Sequence, residues 1–434
     1  MKKIIFVLWV CCYLITSWTS CDLFNNQDTE PLYKSKIAWD SGLISNFFQS
    51  HTVYEDSVYF FERPPGYDTV NIYSLTKINA ETGNFVWRSF MFSDIVFCQP
   101  VVIGNYVYVF LVPNIVICFD KSTGKNTAIV QVDIDNKNLE IGWNVTAHQQ
   151  YLYLELWTNG QYFVRVDVNE INQSENIEIV QVIMPEILWE ADTIEVMPEE
   201  KRYFTAKPVI HNNTVFTSTY NAHARVPVEL AGFNIETKQM VFYQTFGGPE
   251  DIADNIPFPE KGAGVKGNPI LINDDILYYL STSITAWNIS TEQQLYRHIY
   301  TSELPQSKRF VADSLQPVFY KGKIYYTGGV SASQGDYRNI HCIDATTGEL
   351  VWNAIAEGSE TLDTNPIIAH DRLYVSQHSG LRVYNPENGR LIGVDRSFCG
   401  AGMGRNVLYK DYMICVRIDP NTGDGRLVAV NVGK

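Results

Sequence analysis

A short pattern recurs along this chain and restricts what it can fold into. HCIDATTGELVW, residues 341 to 352, places Asp344 after Ile343, Thr347 and Gly348 three and four residues later, and Trp352 at eight. INAETGNFVW repeats it with Asn79, Thr82, Gly83 and Trp87, and FDKSTGKNTA with Asp120, Thr123 and Gly124. FNIETKQMVF carries Asn234, Thr237 and Phe242, WNISTEQQLY carries Asn288, Thr291 and Tyr296, and YNPENGRLIG carries Asn385, Asn388 and Gly389. Weaker copies stand at Asp167 and Asn431.

The residue types explain the pattern. An Asn or Asp oxygen accepts hydrogen bonds from backbone N–H groups two residues on, which closes a tight turn. The glycine takes the positive-φ position of a hairpin turn with a bulge. The aromatic residue then falls on the next strand, where it can pack against a neighbouring sheet.

The eight Asn/Asp positions lie 41 to 67 residues apart. Pro100, Pro208, Pro269, Pro317 and Pro366 precede five of them, each followed by a short apolar run. Proline costs no ladder bond at the start of a strand. Repeats of roughly 40 to 55 residues built from short strands mark a β-propeller. We therefore expect an all-β, eight-bladed β-propeller over residues 36–434, a reading preferred to two separate β-domains. The copy at Asn431 comes at the end of the sequence, with no outer strand after it. KIAWDSG, residues 36 to 42, is expected to supply that strand, with Trp39 as its clamp, so that an N-terminal strand closes the ring.

The remaining sequence bears on location and chemistry. Lys2 and Lys3, the apolar run 4–15 and TSWTSC at 16–21 have the order of a lipoprotein signal over residues 1–20, with Cys21 as the lipidated residue. Trp18 stands where an aliphatic residue is usual, and ordinary secretion is the alternative. Residues 21–35 are expected to be a polar, lipidated tether. The net charge of −15 argues against nucleic-acid binding. Two insertions, 184–204 and 245–264, are rich in acids and proline. Leu188, Trp189, Ile252 and Phe258 there are candidate interaction residues, the alternative being loops that contact nothing.

No catalytic machinery stands out. Beyond Cys21 the chain keeps Cys98, Cys118, Cys342, Cys399 and Cys415, with no CxxC, and buried thiols are expected rather than a Cys399–Cys415 disulfide. The histidines lack paired-ligand spacing, and GAGMG at 400–404 precedes a strand rather than a helix. No cofactor, metal or catalytic residue is assigned. Asp94, Asp313 and Asp363, ahead of first strands, are most simply turn caps or solvated residues at the channel mouth.

The D-x-x-T-G-x-x-x-W pattern resembles the PQQ-like β-propeller repeat over nearly all of residues 36–434. That resemblance implies the fold strongly and the function weakly. One branch of the family is the quinoprotein dehydrogenases, and another is the BamB-type lipoproteins of the outer-membrane β-barrel assembly machinery. Lipid anchor, length and blade count make the chain similar to the second. The resemblance implies a non-catalytic, monomeric scaffold in a bacterial envelope, anchored by lipid in the outer membrane and binding protein partners. Asp22 follows the lipidated cysteine, as in one bacterial rule for retention in the inner membrane, so the membrane and its face stay open. The alternatives are a quinone- or metal-binding enzyme or sensor, and a surface lipoprotein that binds glycan or a host protein.

Overall fold

The computed structural model describes residues 31–44, 51–63, 72–93, 98–135, 139–157, 161–172, 181–191, 202–204, 207–221, 228–246, 270–280, 283–299, 316–329, 338–356, 364–377, 380–398, 405–418 and 424–433. They form eight sheets, each one blade of a propeller and antiparallel apart from one added strand in blade 2. Blade 1 runs Thr52–Tyr54, Ser57–Glu62, Ile72–Asn79 and Phe85–Ser93, from the innermost strand outward. Blades 2 to 7 begin with innermost strands at Val101–Ile103, Glu140–His148, Val209–His211, Ile270–Asn273, Val318–Tyr320 and Ile367–Ala369. Buried Pro100, Pro208, Pro317 and Pro366 sit just before four of these, as the sequence pattern predicts.

Blade 8 holds Val407–Tyr409, Tyr412–Ile418 and Gly425–Asn431. Its fourth strand is Lys36–Ile44, paired antiparallel to Gly425–Asn431 with Trp39 opposite Ala429. The expected N-terminal closure is thus present. Eight hydrophobic clusters fill the eight seams between neighbouring blades. Middle strands bury side chains on both faces, as at Val58–Phe61 and Val107–Phe110. They therefore read as continuous apolar runs rather than as alternation.

All eight Asn/Asp positions make the expected turn. Asn79 Oδ1 accepts from the N–H groups of Glu81 and Thr82, both at 3.0 Å. Asp120, Asn234, Asn288, Asp344 and Asn385 do the same with residues two or three further on. At the weak copies, Asp167 accepts from the Asn169 N–H, opening the short helix Val168–Asn172, and Asn431 accepts from that of Gly433. In six blades a register shift falls beside the turn, one or two residues before the Asn or Asp. That is the bulge such a turn produces.

In four blades a Trp or Tyr on the outer strand clamps the next blade. Trp39 Nε1 donates to the Ala80 carbonyl at 3.0 Å, Trp87 Nε1 to Lys121 at 3.0 Å, and Trp352 Nε1 to Pro386 at 2.9 Å. The Tyr296 hydroxyl donates to Ala345 at 2.8 Å. Each acceptor is the residue after the turn's Asn or Asp. The rings lie on the turn glycine: a Cβ on Gly83 would come within 2.7 Å of Trp39, and one on Gly389 within 2.6 Å of Trp352. Gly124 lies under Trp87 and Gly348 under Tyr296 in the same way. These four glycines have φ between 69° and 77°. Lys238 and Glu292 occupy the same turn position with positive φ in blades 4 and 5. Glycine is therefore demanded where a tryptophan or tyrosine ring lies over the turn, and not by the turn alone.

Two seams replace the aromatic with a small residue. Ala128 of blade 2 and Gly393 of blade 7 stand opposite Cys118 and Val383, which is the register of a clamp. Both outer strands carry an added segment running parallel to them. Gln181–Ile183 pairs parallel with residues 130–132 of blade 2. Residues 31–35, expected as the end of a tether, lie along blade 7. There Tyr33 N–H donates to Val394 O at 2.9 Å and Val394 N–H to Pro31 O at 2.9 Å. The Tyr33 side chain packs on the core between blades 7 and 8. A side chain at Gly393 would meet Tyr33 Cβ at 2.8 Å. The Asp395 carboxylate fastens this segment by accepting from the Ser35 N–H, at 2.6 Å, and from its hydroxyl.

Two predictions follow from these seams. Gly124→Ala should lose about 2–4 kcal/mol in chemical denaturation, from φ strain and ring overlap. Glu292→Ala, where a side chain already stands at that turn position, should stay within about 0.5 kcal/mol of the parent. At Asp395 partial burial pushes the pKa up, but bonds from Ser35 and Ser397 outweigh it and hold the carboxyl below its usual range. A depressed carboxyl stabilises fully above its unfolded value and loses that contribution as pH falls through its folded value. Amide exchange at residues 33 and 35 should therefore accelerate, relative to the ring, below about pH 4, and in Asp395→Asn it should already be fast at pH 7. Equal protection of parent and variant at pH 7 would remove this role for Asp395.

Candidate functional site

In a propeller two regions are free to meet a ligand: the rim of outer strands and the mouth where innermost strands begin. On the rim, blade 1 is the most apolar. Its outer strand exposes Phe85 at 54%, Val86 at 47%, Phe90 at 46% and Met91 at 49%. Trp87 and Phe92 of the same strand face inward and are buried. Phe90 also touches Phe92 and Phe119 at 5.6–6.0 Å between ring centres, so its exposed face is held rather than free to swing. Arg88 pairs with the buried Glu62, which also accepts from Thr76 at 2.7 Å. This ties down the polar side of the strand. Blade 4 exposes a smaller group, Met240, Val241 and Tyr243.

At the mouth, hydrogen bonds fasten one blade to the next. Thr52 Oγ1 donates to Pro100 O, and Thr146 Oγ1 donates to Pro208 O at 2.6 Å. Asn365 and Asn406 exchange three bonds of 2.8–3.0 Å between blades 7 and 8. Inside this rim Arg405 Nη1, at the start of blade 8, donates to Gln99 Oε1 of blade 2 at 3.1 Å. Blade 1 lies between those two in the ring, so the bond passes along its inner side. Lys207, at the start of blade 4, and Cys98, beside Gln99, belong to the same electrostatic group. Burial pulls Lys207 well below its ordinary pKa, with the Arg405 charge adding to the effect. Burial pushes the Cys98 thiol up to about 12. His51, buried and bonded to Ile414 O at 3.2 Å, is lowered to about 4 by burial and is neutral at pH 7.

The residues singled out by sequence divide clearly. Asn79, Gly83, Trp87, Asp120, Gly124, Asn234, Asn288, Asp344, Gly348, Trp352, Asn385, Gly389, Trp39 and Asn431 make turns and seams. They build the ring and do not converge on a site. Leu188 and Trp189, expected in an interaction loop, belong instead to the outer strand Glu186–Ala191 of blade 3. They pack on the core between blades 3 and 4, with Trp189 5.9 Å from the Phe233 ring. Around them Arg165 bridges Glu186 and the Ile235 carbonyl, so a guanidinium fills the role of the clamp. Ile252, Phe258, Cys21, Cys399, Asp94, Asp313 and Asp363 lie outside the described residues, as does GAGMG at 400–404. Cys98, Cys118, Cys342 and Cys415 are buried free thiols, as expected. Sequence reasoning passed over Lys207, Gln99 and Arg405. The first two stand directly before the marked prolines Pro208 and Pro100, which was the available signal.

A family model described as outer membrane protein assembly factor BamB matches residues 283–397. The fold is similar to the crystal structure of BamB from Moraxella catarrhalis, with a TM-score of 0.58 at 11% identity over 92% of this chain and 98% of that one. The chain has the fold of a PQQ-like β-propeller. A europium-containing methanol dehydrogenase gives a TM-score of 0.61 at 11% identity, covering 93% of this chain and 95% of that one. Quinohemoprotein alcohol dehydrogenase from Comamonas testosteroni gives 0.63 at 11% identity, covering 95% and 78%. No curated protein matches the sequence significantly. At these identities the structural likeness establishes the fold, which scaffold and dehydrogenase share.

Proposed function

We propose that this PQQ-like propeller is a non-catalytic scaffold of a bacterial envelope, held by lipid on Cys21 at the outer membrane, that binds proteins during β-barrel assembly. The observation that carries this reading is the outer strand of blade 1, whose exposed Phe85, Val86, Phe90 and Met91 face outward from a rigid sheet. The BamB model's match to residues 283–397 supports the class of task. The occupant we assign to blade 1 is an extended apolar strand of an envelope protein. Such a strand adds to a sheet edge through main-chain bonds, and alternate side chains provide selectivity. Two other rims of this ring show the geometry, since blades 2 and 7 each take a parallel segment from the chain itself.

A second reading, a quinone- or metal-holding enzyme or sensor, is supported by the fold's likeness to the two dehydrogenases. A quinone absorbance in the purified protein, or melting raised by calcium, would favour it.

The scaffold reading is tested by photocrosslinking in cells from a reactive amino acid at Phe90, with Ile392 of the covered blade 7 rim as control. The expected product joins position 90 to a barrel-assembly protein or an unfolded outer-membrane barrel, and Met91→Asp reduces it at least about fivefold. Abundant lipoprotein giving no envelope crosslink at position 90, or equal crosslinking at 392, would overturn the assignment.

A further inference from the structure

Residues 31–35 lie on the rim of blade 7 as a strap that the closure of the ring does not use. The ring closes through Lys36–Ile44 and the Trp39 bond, both of which come after this strap. The strap is lightly held. Its main chain makes two bonds to Val394, and Ser35 gives its N–H and its hydroxyl to Asp395. Leu32 is 88% exposed. Among the described residues Tyr33 is the strap's only member packed on a hydrophobic cluster. The added segment on blade 2 is different. Ile183 there is buried, its carbonyl accepts from the Asp133 N–H at 3.1 Å, and the chain passes within three residues into the blade 3 strand Glu186–Ala191. That segment is built into the ring.

What the strap covers has the form of a receptor. Gly393 stands at the clamp register, and its backbone lies outside the left-handed region, so its conformation would suit any residue. Only the strap fills the space over it. The atoms nearest an added Cβ would be Tyr33 Cβ at 2.8 Å, Pro31 O at 3.0 Å and Tyr33 N at 3.2 Å. Below the hollow, Tyr374, Val383, Val428 and Val430 of blades 7 and 8 already form a buried cluster, and Tyr33 tops it. Beside the hollow, Asp395 Oδ1 accepts from Ser397, which leaves Oδ2 for Ser35. A strand edge, a hollow and a carboxylate are what strand addition uses, with main-chain bonds for affinity and side-chain positions for selection.

The strap's own connection limits the occupant. Ser35 runs directly into Lys36–Ile44, which is paired along blade 8. The strap is therefore held beside its own ring and does not reach a second copy. It competes with a foreign strand as an intramolecular ligand, at high effective concentration.

We propose that the rim of blade 7 is a strand-addition site for an extended segment of another protein that carries an aromatic residue two places before a serine or threonine, with residues 31–35 as its built-in competitor. The incoming segment runs parallel to Leu391–Asp395, sets its aromatic residue in the hollow at Gly393 as Tyr33 does, and gives its hydroxyl to Asp395 as Ser35 does. This extends the protein-binding reading to a second rim without depending on the first. Failure of the crosslink at Phe90 leaves the blade 7 site standing, and failure at blade 7 leaves blade 1 untouched.

The test titrates a fluorescent peptide, EPLYKSK, the sequence of residues 30–36, with the purified full chain and reads anisotropy. The parent should bind weakly, because its strap fills the site. Tyr33→Ala loosens the strap and leaves the groove intact, and it should bind at least about tenfold more tightly as the open fraction rises. Adding Gly393→Val to that variant should abolish binding, as should alanine in place of the peptide's tyrosine. Met91→Asp, on blade 1, should change nothing. The proposal is overturned if Tyr33→Ala shows no saturable binding, or if neither Gly393→Val nor the altered peptide reduces it. Equal affinity of parent and Tyr33→Ala would overturn the competitor role. A Tyr33→Ala chain that melts far below the parent would show the strap to be a structural part of the ring, and that result also excludes exchange.

Discussion

The side-chain bond that crosses a seam to a turn carbonyl, made by an indole N–H at three of them, is the interaction on which the ring depends. It needs three things at once. The Asn or Asp must hold the turn so that the next carbonyl points outward, the glycine must leave room for the ring, and the strand register must place the ring over it. Trp39, Trp87 and Trp352 meet all three. Each bond is worth only about 1 kcal/mol by itself, but a closed ring couples the seams. Opening any one exposes two blade faces and their hydrophobic cluster together. This explains why the seam between blades 8 and 1 uses the same Trp–carbonyl bond as the seams of Trp87 and Trp352, although its strands come from opposite ends of the described chain.

The clamp is a function that several side chains can perform. Tyr296 performs it with a hydroxyl, and Arg165 reaches the equivalent carbonyl, that of Ile235, from the third strand of its blade. Where the clamp position shrinks to Ala128 or Gly393, a parallel segment covers the outer strand instead. Small residues there are not defects in the repeat, because they make the space that the added backbone fills. They also show that the outer strands of this ring accept extended chain readily. The apolar rim of blade 1 differs from them in presenting a large ring, Phe90, and an edge that no other described residue covers.

The turn was legible in sequence because its chemistry is local: one oxygen, two N–H groups and a glycine within five residues. Ring closure was legible because a copy of the motif lacked its outer strand and Trp39 lacked a blade. Other features were hidden by their range. Leu188 and Trp189 sit in an acidic, proline-rich stretch that reads as loop. Their strand is set by pairing with Gln161–Asp167, after a detour through a helix and a visit to blade 2. Residues 31–35 show no alternation because backbone bonds to Val394 hold them, and backbone bonds leave little trace in composition. Arg405 and Gln99 meet across 306 positions of sequence, a contact that no window reveals.

The division between repeat and exception also indicates where function lies. Residues that obey the repeat are committed to turns and seams, and they would be needed in any propeller of this kind. TM-scores of 0.58 to BamB and 0.63 to an alcohol dehydrogenase reflect that common framework and cannot separate a scaffold from an enzyme. Discrimination has to come from positions that the framework leaves free. On the rim these are Phe85, Val86, Phe90 and Met91, which expose apolar surface where a clamped strand needs only Trp87. Apolar side chains held exposed on a strand that Trp87 already clamps mark a surface retained for something outside the ring.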